Sequence, residues 1–127
     1  MAAPNIVGVT TMVGVTTMVT LGDLQPTVIV SNAASSNYAY KINSLIVANI
    51  DGSSSADVTI KIHDTASPAA GISSFPIAST VAVAADSTLV ALDRASSIYL
   101  EENRSITAEA SAANDLTITC SYESIID

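Results

Sequence analysis

Apolar and polar residues alternate with period two along most of this chain. Each alternating run ends at a cluster of Ser, Asn, Asp, Gly or Pro, which is the pattern of short strands separated by turns. Thr27-Val-Ile-Val-Ser31 reads as a strand closed by the polar stretch 32–37. Tyr38 to Asn49 follows as a central strand, because Ile42, Leu45, Ile46 and Val47 are too apolar for either face to meet water. Asp51-Gly52 supplies hairpin turn chemistry, with Gly52 expected at positive φ. The strand from Asp57 to Asp64 then returns with Val58, Ile60 and Ile62 inward and Thr59, Lys61 and His63 outward. From Thr65 to Pro76, Pro68, Gly71 and Pro76 mark a crossover loop. Strands are expected again at Ser79–Ala84, Thr88–Leu92 and Ser97–Leu100. A second hairpin joins Ile106–Ala110 to Leu116–Glu123 through the turn Ala112–Asp115, with Leu116, Ile118, Cys120 and Tyr122 inward. No stretch carries helical periodicity, so the chain reads as all-β, an antiparallel β-sandwich with Greek-key or jelly-roll-like connections.

The beginning of the chain departs from this pattern. The first forty residues hold one charged side chain, Asp23, and contain an exact tandem duplication, Val7-Gly-Val-Thr-Thr-Met12 followed by Val13-Gly-Val-Thr-Thr-Met18. Six is even, so an extended chain places Val7, Val9, Thr11, Val13, Val15 and Thr17 on one face and Gly8, Thr10, Met12, Gly14, Thr16 and Met18 on the other. An apolar, β-branched, uncharged strand is prone to pair with other strands. It therefore reads as an extended N-terminal arm, residues 1–22, ahead of a sandwich domain, residues 23–127. Such an arm either folds back or clasps a neighbour, and Val7, Val9, Met12, Val13, Val15 and Met18 are its expected partner-binding residues.

Composition narrows the chemistry. The 127 residues suit one domain, and a core without Trp must be filled by Val, Ile, Leu and Ala. Twelve acidic residues against four basic ones argue against a phosphate-tracking groove, so no nucleic-acid partner is expected. Threonines and glycines interrupt the apolar run from Ile6 to Leu21, and neither a membrane-spanning segment nor a signal peptide is expected there. Cys120 sits at an apolar strand position and reads as a buried thiol. His63 reads as a solvent-facing strand residue. With one His and one Cys, neither a zinc site of ordinary make-up nor a Ser-His-Asp triad in a Gly-x-Ser-x-Gly elbow is indicated. Asp51 to Asp57 lacks the ligand order of an EF-hand loop. The chain is therefore expected to have no catalytic residues, no metal ligands and no cofactor. Tyr38, Tyr40, Tyr99 and Tyr122 read as core-edge residues, with sugar stacking as the functional alternative.

Two stretches carry a family likeness. They are Lys41-Ile-Asn-Ser-Leu-Ile-Val-Ala-Asn-Ile-Asp-Gly52 leading into Ala56-Asp-Val-Thr-Ile60, and Ile98-Tyr-Leu-Glu-Glu102 followed by Ile106 to Asp115 and Ser121-Tyr-Glu-Ser124. Together they resemble small β-sandwich virion structural proteins of tailed bacteriophages, particularly marine and cyanobacterial phages, over roughly Tyr38 to the C-terminus. The duplicated arm lies outside the likeness. The resemblance implies a virion component made in the host cytoplasm, expected first as a capsid decoration (cement) protein docking on the shell through its arm and sheet edges. It further implies a homotrimer and contact with the major capsid or another virion protein. A neck, tail or fibre-associated component and a small glycan-binding surface module are the alternatives.

Overall fold

A computed structural model of the chain describes residues 4–68 and 73–126. Among them, nine strands form two packed antiparallel sheets: β1 (Thr11–Thr20), β2 (Thr27–Asn32), β3 (Tyr38–Asn49), β4 (Ala56–His63), β5 (Ser74–Val83), β6 (Thr88–Leu92), β7 (Ile98–Leu100), β8 (Arg104–Ala110) and β9 (Leu116–Ile126). One sheet has the order β1-β9-β3-β6, with β7 also on β3; the other runs β2-β8-β4-β5. β6 and β7 lie on the same side of β3 and are separated by one 3-10 turn, Arg94–Ser96, capped by the Asp93 carboxylate. Counting that pair as one interrupted strand, the order is that of a jelly roll. The all-β antiparallel sandwich expected from the alternation is the fold.

The two expected hairpins are not hairpins. β3 lies in one sheet and β4 in the other, and β8 and β9 are likewise divided, so the Asp51-Gly52 and Ala112–Asp115 connections arch between sheets. Among the described strands, β4 and β5 are the consecutive pair that hydrogen-bond directly. Period-two alternation puts the same side chains inward whether a turn returns within a sheet or crosses to the facing one. The inward sets accordingly hold: Val58, Ile60, Ile106, Leu116, Ile118 and Cys120 are buried in one core with Ile42, Leu45 and Val47. Gly52 is not in the left-handed region, and a Cβ there would lie 3.4 Å from the Asp86 carboxylate. The expected crossover loop does not cross: it returns β4 to β5 within one sheet, and β5 starts at Ser74, inside the expected loop, carrying Pro76 on an edge strand, where proline is tolerated.

Two buried asparagines fasten the arches. Asn49 Nδ2 donates to Ser54 O and Val83 O, at 3.0 and 2.9 Å, while its Oδ1 accepts from Asp51 N at 2.9 Å. Asn32 Nδ2 donates to Tyr38 O and Leu100 O, at 2.9 and 3.0 Å. Each side chain supplies, inside the core, partners for backbone groups that the crossing loops leave without a ladder.

The stretch expected as a separate arm is corrected in its described part. Residues 11–20 form β1, paired with β9 from Thr11↔Ile126 to Thr20↔Thr117 without a register shift. Leu21 is fully buried in the main core, and Val19 packs against it. The boundary expected at residue 22 therefore separates no two units, and the folding-back alternative is the one realised. An uncharged β-branched segment pairs with whatever edge is within reach, and the edge of β9 is supplied by its own chain.

Candidate functional site

β1 is the end strand of its sheet, with one edge on β9 and the other, among the described residues, open. Its two faces follow the parity of the repeat. Val13, Val15, Thr17 and Val19 share the inner face with Ile118 and Cys120, whereas Met12, Gly14, Thr16 and Met18 face outward. Met18 is 76% exposed, Met12 51% and Val13 52%; Val15 is half-buried. Val7 is 92% exposed in a turn closed by Gly8 N donating to Asn5 O, and Val9 is half-buried just before the strand. The structure thus aligns Met12, Val13, Val15 and Met18 on one strand and sets Val7 and Val9 ahead of it. The two copies of the hexapeptide take different forms: the second lies wholly in β1, while the first enters the strand only at Thr11.

The other edges are protected. β5 carries Pro76, two register shifts, and Thr80 at φ 51° with its N–H donating to Thr59 Oγ1. β2 is six residues long with a register shift, and β6 and β7 are short and interrupted. Bulges, proline and short length all discourage strand addition. β1 has none of these devices: it has ten residues in unbroken register and no charged side chain.

The remaining candidates are placed as follows. His63 is half-buried on the outer face of the second sheet, correcting the solvent-facing expectation, with Nε2 2.8 Å from Thr107 Oγ1. The cause lies in the start of the β4–β5 connection, which folds over this face: Thr65 O accepts from Ser105 Oγ and Ala66 O from Ser31 Oγ, both at 2.7 Å. Burial and the charge of Lys61 hold the imidazole below its ordinary pKa, against a smaller opposing effect of Asp64. Cys120 is fully buried, and burial pushes its thiol up to about 11. Tyr40 packs in tilted contact with Tyr38 and Tyr122, at ring-centroid separations of 5.9 and 5.0 Å. Tyr40 and Tyr122 also pack against the core, and burial raises both phenol pKa values. Tyr99 stands apart and exposed. Among the described residues, no three His, Cys, Asp or Glu side chains gather to hold a metal ion, and no helix is long and apolar enough to cross a membrane.

No family model matches this chain, and no curated protein matches it.

Asn32, Asn49 and the burial of His63 were not legible in the sequence. An asparagine in a turn-rich sequence looks like turn chemistry, and only the crossing of the loops turns it into a core clip.

Proposed function

We propose that the protein is a structural component of a tailed-phage particle, a capsid decoration protein that acts by docking and performs no catalysis. The observation that carries this reading is the outward apolar row of β1, with Met12 and Met18 projecting from a strand that has no charge. In water this row is a cost; against an apolar strip of the shell it adds burial, at about 25 cal/mol per Å² of apolar area. The jelly-roll order supports the reading in kind, since viral capsid domains use it, as do lectins. The likeness of residues 38–127 to phage structural proteins adds to that support. The docking residues are then Met12 and Met18, with Ile6 and Val7 of the preceding turn.

Imaging of the particles tests this directly. The protein is expected on the shell face; a position on the neck, tail or fibre selects the alternative virion role, and absence from particles overturns the reading. Met18→Lys is expected to weaken attachment by roughly tenfold or more at unchanged melting temperature, because burying an uncompensated ammonium replaces burying a thioether. A glycan-binding module has one observation in its favour, the Tyr38–Tyr40–Tyr122 cluster. Binding on a glycan array that Tyr38→Ala abolishes would favour that module over decoration.

A further inference from the structure

The open edge of β1 has a definite hydrogen-bonding polarity. Leu21 N–H donates to Leu116 O at 2.9 Å, so Leu21 directs its amide toward β9. The register from Thr11 to Thr20 is unbroken, and antiparallel strands alternate the direction of their backbone groups. Val13, Val15, Thr17 and Val19 therefore bond to β9, while Met12, Gly14, Thr16, Met18 and Thr20 present N–H and C=O at the open edge.

We propose that this edge pairs with the same edge of a second copy, antiparallel about a two-fold axis at Val15, joining two sheets into one. Three observations select a like copy as occupant. First, the six-residue duplication places Met12 and Met18 equally far from Val15, making the strand its own antiparallel complement. Met12 then faces Met18, Gly14 faces Thr16, and both pairs are hydrogen-bonded pairs because all four residues direct their backbone to the open edge. Second, the inner row benefits: Val15 meets Val15 of the second copy and half-exposed Val13 meets Thr17, burying side chains that the chain's own second sheet leaves uncovered. Third, the chain carries twelve acidic residues against four basic ones, and like-charged copies approach at least cost along a strand without charge. Self-pairing through a single patch is an isologous contact, which closes at two copies and leaves no further edge to propagate. It stands in place of the trimer implied by the phage likeness. The outward Met12 and Met18 side chains stay on the sheet face, so the pairing neither needs nor prevents docking to a shell. It is a property of the isolated chain and does not rest on the virion reading.

The test is sedimentation velocity of the full chain with one backbone-directed variant. Thr16→Pro removes an N–H aimed at the open edge and none aimed at β9, and an edge strand accepts proline in that setting. The wild type is expected to sediment as a dimer at high micromolar concentration, and Thr16→Pro to weaken association by roughly tenfold or more, from hydrogen bonds lost on both copies. A monomer, a trimer, or a dimer insensitive to Thr16→Pro overturns the proposal. Should Thr16→Pro not fold, a cross-link carries the same decision. Val15 faces its equivalent in a non-hydrogen-bonded pair, with Cα atoms about 4.5 Å apart and within disulfide range. Val15→Cys is therefore expected to give a disulfide dimer on mild oxidation, while Val13→Cys does not; Cys120 is buried and does not compete. Failure of Val15→Cys to cross-link overturns the pairing.

Discussion

Asn49 shows how much one side chain can hold. It is 3% exposed and serves three backbone groups, at Asp51, Ser54 and Val83, none of which it meets through a strand ladder. Truncating it strands buried donors and acceptors, whose desolvation is felt in full. Asn49→Ala is expected to lower unfolding stability by about 2–4 kcal/mol, read from urea denaturation with unchanged m. His63 is a second such residue, through its proton. Its folded-state pKa lies below the unfolded value near 6.5, so the unfolded chain takes up the proton first. The stability it contributes is complete above that unfolded value and is lost as pH falls from there toward the folded pKa. The melting temperature is expected to drop on acidification from neutrality toward pH ~5, with a shallower drop in His63→Gln. Equal slopes for the two proteins would show that carboxylates alone set the pH dependence.

Among the strands, β1 shows that one local sequence can take two forms. Val7–Met12 and Val13–Met18 are identical, yet the second copy is all strand and the first begins with a turn at Asn5–Gly8. The difference is the partner: Thr11 is matched by Ile126, at the end of β9. A lone extended segment leaves its backbone groups to water, whereas a paired one adds ladder bonds worth about 0.5–1.5 kcal/mol each. Two truncations separate the roles. Deleting residues 2–9 leaves the β1–β9 ladder whole but removes the buried Pro4, so it is expected to lower the melting temperature by less than the longer truncation does. Deleting residues 2–20 uncovers the β9 edge and strips Val19 from the core, so a lowered melting temperature and a tendency to aggregate are expected. A fully stable 2–20 deletion would mean that β1 is dispensable to the fold.

For the whole molecule, the jelly-roll order explains the placement of these features. Strands consecutive in sequence alternate between sheets almost throughout, so loops collect at the two ends of the sandwich, and short connections cross it while the longest, from β4 to β5, stays within one sheet. The order puts β1 and β2 at adjacent edges, and it leaves β5, the opposite edge of the second sheet, guarded by Pro76 and the Thr80 bulge. One side of the sandwich is thus closed to strand addition and the other open. The same architecture serves shell proteins and sugar binders alike, so the fold by itself selects neither function.

The sequence by itself determined the class of fold and most of the core, because period-two burial is a local property of each strand. Val58, Ile60, Ile106, Leu116, Ile118 and Cys120 point inward in any arrangement of these strands that hides one face of each, whereas Ile42 and Leu45 share the core only through the register shift between Ile42 and Ser44. It also marked residues 7–18 as strand-forming, since nothing in them is charged, and this holds from Thr11 onward. Tertiary structure alone decided which strands meet. An Asp-Gly or Asn-Asp turn looks the same when it returns within a sheet and when it arches to the facing one, so Asp51-Gly52 and Ala112–Asp115 read as hairpins until the sheets are assembled. The partner of β1 was hidden for the same reason: β9 lies at the far end of the chain, and no local pattern records a contact between residues a hundred positions apart. Burial of His63 likewise needed the loop laid over its sheet face, a long-range contact that leaves no trace in the residues around it.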